Sequence, residues 1–292
     1  REGPSVHLGA AGSSFFGQWL KLPHNSIRIL SGCGIAAGIS ASFNTPFAAV
    51  IFVMEVVLRE YKIHIFIPIM LAAAIGTVMT RAVFGQAQEL AFIEFFEFSR
   101  WIYLYLILFG ILLGGLATLF NNALMKVMHL FQGFNMIKRL LIAGVITGGV
   151  GYVLPEALGA HFFSVHEMVL QQQDVALLVA VLCAKFFITI IAIGLGIPGG
   201  IMGPVFVLGM LSGALLVAPL GLAVDNVEQL SGSFALLGMA GLMTSVVHAP
   251  LAALSAVMEL SYSPELILPA ILVIVPAYVT STQFLGNNSI FI

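Results

Sequence analysis

Charge is scarce in this chain. Only 8% of its 292 residues are Asp, Glu, Lys or Arg, against about 25% in soluble globular domains. The scarcity is uneven: none of the four occurs in 29–54, 101–125, 186–224, 229–258 or 266–292, stretches of 26, 25, 39, 30 and 27 residues. One membrane-spanning helix needs roughly 20 apolar residues. A soluble enzyme, a disordered chain and a disulfide scaffold are thereby excluded. Cysteine is nearly absent as well. Cys33 and Cys183 stand far apart inside apolar segments and read as small core hydrophobes, not as a disulfide. Net charge is −2 and no basic cluster could neutralise a phosphate backbone, so no nucleic-acid partner is expected. There is no HExxH, no GxSxG and no i,i+4 pair among His7, His161, His166 and His248. Neither a metal site, nor a cofactor, nor an enzyme is expected from such residues. The sequence also lacks an initiator Met and a secretory leader, and it stops inside apolar sequence at Phe291-Ile292. These features read as a fragment with material missing at both ends.

What is present is apolar: 60% of the residues. The runs and their Pro/Gly punctuation predict an all-α polytopic membrane protein. Its helical segments are expected at roughly 5–20, 26–43, 46–58, 63–84, 101–131, 137–154, 175–195, 201–218, 233–248, 250–262 and 264–285. Polar excursions are expected at 85–100, 155–174 and 224–231. Segments 5–20, 46–58 and 250–262 are too short to cross a bilayer comfortably, and 101–131 is long enough to cross at a tilt. The 39-residue stretch contains Gly194-Leu195-Gly196-Ile197-Pro198-Gly199-Gly200-Ile201-Met202-Gly203-Pro204. No single straight helix tolerates that run. It predicts one helix ending, a bend, and a second helix starting at depth. Such backbone persists in a membrane only inside protein or beside a wet cavity.

The chain repeats itself. TPFAAVIFVME from Thr45 matches APLAALSAVME from Ala249 at an offset of 204, and GPSVHLGA from Gly3 resembles GPVFVLGM from Gly203 at an offset of 200. Each copy carries a Gly-Pro helix start and then a Pro-led short helix ending in Met-Glu. Membrane transporters are often built from such halves, with the site where broken helices meet. The eleven Lys and Arg are too scattered along the sequence for orientation to be read from them.

Pro4 and Pro204 stand where a missing N–H costs nothing, in the first turn of a helix. A helix that begins in mid-membrane aims unpaired N–H groups and partial positive charge at what lies before it, which makes an anion site without a full cation. Two kinked helices would look the same, but the pairing at repeat-equivalent positions favours the site. Glu2 precedes the Gly3 start, where its carboxylate could fill the same anion site. A helix-capping acid is the plainer reading. Glu55 and Glu259 close the two short repeat helices; an ionisable group at depth is a functional candidate, although each could instead reach the interface. Gly194-x-Gly196-x-x-Gly199 satisfies GxGxxG without the strand that motif requires. Gly34-x-x-x-Gly38 and Gly110-x-x-x-Gly114 read as close helix-packing faces.

These residues together resemble the CLC family of chloride channels and chloride/proton exchangers. Arg1-Glu2-Gly3-Pro4 is similar to the end of its GREGP or GKEGP motif. Gly199-Gly200-Ile201-Met202-Gly203-Pro204 resembles its GGxFxP motif. Phe43-Asn44-Thr45-Pro46 to Glu55, and Ala249-Pro250-Leu251 to Leu260, resemble its paired short helices. The resemblance runs over the whole chain and implies a CLC-type inverted repeat with short, tilted and broken helices, split here as 1–84 (the end of the first repeat) and 85–292 (the second). It also implies a homodimer in the lipid bilayer with one anion pathway per subunit. Glu2 falls on the gating glutamate. Gly3, Ile201 and Met202 fall on backbone positions that face the anion, with Met202 replacing the usual Phe. Phe291 aligns with a Tyr whose hydroxyl contacts the central anion, and Phe lacks that hydroxyl. The serine-bearing GSGIP motif is expected upstream of Arg1. Val56 aligns with the inner proton-accepting glutamate of exchangers and Glu55 with the acid before it.

The function expected is chloride transport gated by Glu2, by a multi-pass protein of a bacterial-type cell membrane. The valine at 56 leans the expectation to a passive voltage- or pH-gated channel. A chloride/proton antiporter, with protons as a second substrate, is the alternative, and an intramembrane enzyme a remote third.

Overall fold

A computed structural model of the chain describes residues 2–85, 100–158, 175–222 and 230–291, except for the side chains of Glu2, Arg100, Gly221 and Leu222. Every regular element among these residues is helical. The main helices are α1 (Glu2–Trp19), α2 (His24–Phe43), α3 (Pro46–Phe52), α4 (Ile63–Phe84), α5 (Arg100–Leu130), α6 (Met136–Val153), α7 (Pro155–Leu158), α8 (Val175–Gly194), α9 (Met202–Val217), α10 (Leu230–Val247), α11 (Pro250–Ser261) and α12 (Ile267–Val279). Wider π turns prolong α3 over Val53–Leu58 and α12 over Thr280–Phe284. Among the described residues eight helices are long and apolar enough to cross a membrane, whereas Pro46–Leu58 and Pro250–Ser261 are shorter. The bend expected in the longest charge-free stretch is there: α8 ends at Gly194, Gly196 turns with φ +84°, and α9 begins at Met202. The predicted excursions 85–100, 155–174 and 224–231 lie almost wholly outside the described residues.

Burial sorts the helices into centre and periphery. In α10, 94% of the span is buried, and in α6 only 11%. A helix that is apolar all round belongs in a core, and one whose apolar side chains remain uncovered faces lipid. Cys33 is buried as expected, but Cys183 is an exposed free thiol. The expectation failed at Cys183 because an apolar helix in a bilayer has an outer face as greasy as its inner one.

The internal repeat is visible as repeated contacts. Helices α1 and α2 cross with Gly9 against the backbone of Gly34, and α9 and α10 cross with Gly209 against Gly238. These are the same positions at offsets of 200 and 204. A methyl group on any of the four would overlap the facing backbone, the close approach that small residues permit between membrane helices. Gly38 packs likewise on Ser5, Gly110 on Val273 and Gly114 on Ala277. Asn44 and His248, also at an offset of 204, both adopt left-handed backbone (φ 57° and 62°) where α2 and α10 turn into the short helices. The Ser40 hydroxyl bonds the Thr77 hydroxyl between α2 and α4. In the second copy Ser281 donates to the Ser245 carbonyl at 3.2 Å.

Candidate functional site

Both Gly-Pro helix starts open on one cavity of about 350 Å³. Gly3 from α1 and the turn Gly199–Met202 before α9 form one side of it. Phe43 and Phe206, one from each repeat copy, pack with ring centroids 5.4 Å apart and form another. Ala48 and Phe52 of α3 and Ala256 and Leu260 of α11 also line it, as does Phe291. Among the described lining residues there is no Lys, Arg, Asp or Glu; His7 is the one titratable side chain. Apart from His7 and the Thr45 hydroxyl, the polar groups that these lining residues offer a charge are backbone.

The helix starts supply that backbone. Ile201 caps α9 without a side-chain hydrogen bond, and the first intrahelical bond of this helix runs from the Val205 N–H to the Ile201 carbonyl at 3.1 Å. The donors before Val205 have no acceptor within the helix, and Pro204 removes one of them by having no N–H. Gly3 abuts the bend closely: a Cβ there would lie 2.9 Å from the Gly200 nitrogen and 3.0 Å from the Gly199 carbonyl carbon. Only glycine lets the two starts converge this way. Gly3, Ile201, Met202 and Phe291, predicted from widely separated motifs, thus line one cavity. The backbone of Glu2 begins α1, and its side chain lies outside the described residues.

Glu55 and Glu259 do something else. The short helix α3 has Pro at its first position, and the Ala49 N–H already bonds the Thr45 carbonyl. That leaves two orphan donors, and Glu259 takes both: Phe47 N–H donates to its Oε1 at 2.8 Å and Ala48 N–H to its Oε2 at 2.7 Å. The partner copy repeats the pattern. Pro250 opens α11, the Ala253 N–H bonds the Ala249 carbonyl, and Glu55 accepts from Leu251 N–H at 3.2 Å and Ala252 N–H at 2.8 Å. Each short helix ends in the acid that caps the other. Such reciprocity requires α3 and α11 to run antiparallel about a local twofold. Neither Glu55 nor Val56 lines the cavity; the Val56 side chain packs against the core.

A polar network holds the segment that carries Phe291, and the motifs gave no hint of it. Asn121 of α5 is buried and donates to the Asn287 side chain at 3.2 Å, to the Asn288 carbonyl at 3.1 Å and to the Val246 carbonyl at 3.1 Å. Ser289 donates to the Val247 carbonyl at 2.7 Å, and Ile290 N–H bonds the Val246 carbonyl at 3.3 Å. The available signal was compositional: Asn121-Asn122 interrupts one charge-free stretch and Asn287-Asn288-Ser289 another.

Comparison with known proteins agrees with this architecture. Residues 1–282 match the family model described as voltage gated chloride channel. The H(+)/Cl(-) exchange transporter ClcA of Salmonella agona is 30% identical over 303 residues, covering all of this chain and 63% of the relative. ClcA of Citrobacter koseri is 29% identical with the same coverage. The chain thus spans 63% of the length of these relatives. Among solved structures, a slow cyanobacterial Cl-/H+ antiporter superposes with a TM-score of 0.82 at 23% identity, covering 99% of this chain and 69% of that one. A CLC-type fluoride/proton antiporter gives 0.79 at 22%, covering 96% and 70%. The lean toward a passive channel is corrected by these findings: both relatives are named exchange transporters. That lean rested on one missing carboxylate at Val56, and proton movement depends on where all the acids along a route stand, so one valine does not exclude it. By sequence and by architecture, the chain belongs to the voltage-gated chloride channel family and is a multi-pass integral membrane protein.

Proposed function

We propose that this protein exchanges chloride for protons across a membrane, with the dehydrated anion held by helix N-termini. One observation carries the reading: two repeat-equivalent helix starts converge on a cavity lined, among the described residues, by no Lys or Arg. Partial charges on backbone N–H groups bind an anion weakly enough to let it leave again, as transport requires. Gly3, Ile201 and Met202 contribute backbone to that site and Phe291 an apolar wall. Glu2 is the gate: deprotonated, it competes for the α1 N-terminus; protonated, it withdraws and admits chloride. Glu55 stands on the proton route, beside Val56. The repeat boundary falls between 84 and 85, and two copies of the protein assemble in the bilayer as a homodimer. The relatives named as exchange transporters favour coupled over passive flux.

The test is the full-length protein in proteoliposomes. An outward chloride gradient should drive protons inward against their own gradient in a fixed ratio, and Glu2→Gln should keep chloride flux while losing proton movement. Chloride flux unaccompanied by protons in the unaltered protein would overturn the exchanger reading. Normal proton coupling in the Glu2→Gln variant would overturn the gate.

A further inference from the structure

A second, quite different pocket lies where the N-terminal ends of α2 and α4 meet. It has a volume of about 160 Å³ and is lined by Asn25, Arg28, Glu60, Lys62 and His64 over a floor of Leu58 and Ile65. Its charges are fixed in place. Arg28 donates one nitrogen to Glu60 Oε1 at 3.0 Å and the other to the Leu58 carbonyl at 2.6 Å, while Lys62 reaches Glu60 Oε2 at 2.9 Å. These bonds from Lys62 and Arg28 hold the Glu60 carboxyl below its ordinary pKa. The Arg28 contacts join the first turns of α2 to the connection before α4. The turns before α2 and α4 contain Lys21, Arg59 and Lys62, and Arg28 stands in the first turns of α2; together they are four of the chain's eleven Lys and Arg, against the single acid Glu60. An excess of Lys and Arg in short connections marks a cytoplasmic face, whose leaflet carries the anionic lipids. Neither α2 nor α4 has a side-chain cap, so both add the partial positive charge of a helix start.

The surroundings set the depth. Trp19 and Tyr61 are largely exposed beside these turns, and such aromatics sit at headgroup level. Beyond them Ile63 and Ile67 are 79% and 55% uncovered, so the apolar surface of α4 begins directly below the charged turns. At about 30 Å³ per water, the pocket has room for about five water molecules, the scale of a phosphate group with its ester arms. Asn25, His64 and the remaining Lys62 hydrogens give it more donors than Glu60 uses.

We propose that this pocket binds the phosphate of an anionic phospholipid in the cytoplasmic leaflet, with Arg28 and Lys62 as the phosphate ligands. The site is separate from the anion cavity and does not depend on the transport reading. Glu60 preorganises the two cations and also competes with the ligand, which gives the site a signed signature. The experiment uses the full-length protein in nanodiscs of phosphatidylcholine with a minority of phosphatidylglycerol, and reads by native mass spectrometry which lipid leaves with the protein. The unaltered protein should retain phosphatidylglycerol, and Arg28→Gln/Lys62→Gln should reduce its occupancy about tenfold, the loss expected when two charge-assisted bonds are removed. Lys62→Gln alone, which leaves the Arg28–Leu58 tie intact, should reduce it several-fold, and Glu60→Gln should raise it. Lys126→Gln/Lys138→Gln removes the same charge from exposed positions elsewhere and should change nothing. Equal loss in that control, or unchanged retention in both pocket variants, overturns the proposal. Inorganic phosphate at millimolar concentration should fail to displace the lipid; a protein that takes free phosphate and retains no phosphatidylglycerol overturns the lipid assignment.

Discussion

Replacing Glu259 with Gln should destabilise a helix that begins 213 residues earlier in the chain. The carboxylate accepts from Phe47 and Ala48, the only two N–H groups at the start of α3 without another acceptor. Gln offers one carbonyl oxygen, so one N–H keeps a weaker, neutral bond and the other faces an NH2 group. Bonds to a charged acceptor contribute about 1.5–3 kcal/mol each. The Ala48 bond is the more buried of the two, and the Phe47 bond is the more exposed. Loss of about 2–3 kcal/mol is therefore expected for Glu259→Gln, after allowing for the relieved cost of holding a charge there. Glu259→Ala should cost about 3–5 kcal/mol, because both donors are orphaned. Glu55→Gln acts on Leu251 and Ala252 through the same geometry and should match Glu259→Gln within about 1 kcal/mol. The double Gln variant should cost less than the sum, since both act on one α3–α11 contact. Equilibrium unfolding of the full-length protein in mixed micelles measures all four. If either Gln variant unfolds within about 0.5 kcal/mol of the unaltered protein, the carboxylates are not capping these helices and the reasoning fails.

Other perturbations test the rest of the site. Gly209→Ala places a methyl group 2.6 Å from the Gly238 carbonyl oxygen and the Met239 Cα; prying the two backbones apart should cost about 1–3 kcal/mol, read as a lower unfolding midpoint, and a neutral result would show the crossing is looser than described. Asn121→Ala removes the donor shared by Val246, Asn287 and Asn288 and should weaken both stability, by about 1–3 kcal/mol, and chloride affinity, because the segment carrying Phe291 loses its anchor. Stability loss with unchanged affinity by calorimetry would separate the network from the site. Phe291→Tyr adds a hydroxyl donor at the cavity wall, and one hydrogen bond to the anion, worth about 1.5–3 kcal/mol, should tighten chloride binding about 12- to 160-fold. Weaker binding would mean that the ring edge points away from the anion.

The features that announced themselves in the sequence are those with local causes. Proline and glycine must break helices wherever they stand together, so the bend at Gly194–Gly203 and the two Gly-Pro starts were legible, as were the short helices beginning at Pro46 and Pro250. The repeat was legible because copies keep letters as well as geometry. Glu55 and Glu259 stand out in the sequence as acids in apolar surroundings, but their capping role is not legible there, because the N–H groups they accept from belong to the other copy. A cap normally sits beside the helix it closes; here the local caps are Thr45 without a side-chain bond and Ala249, which has none to offer. Asn121 was invisible for a similar reason, since its partners come from the far end of the chain. Val56 taught the opposite lesson. One substituted position says less about coupling than the whole sequence around it, whose relatives are named exchange transporters.

The crossed caps also bear on how the protein is made. A ribosome adds about 5–20 residues per second, so the acid that closes α3 is synthesised about 10–40 s after the helix it serves. For that interval the N–H groups of Phe47 and Ala48 sit in a half-built membrane protein with no partner in their own copy. The first copy must therefore wait, held by the insertion machinery or by water, until the second arrives. Glu259 can then close the older short helix while Glu55 closes the younger one, so the two copies lock each other.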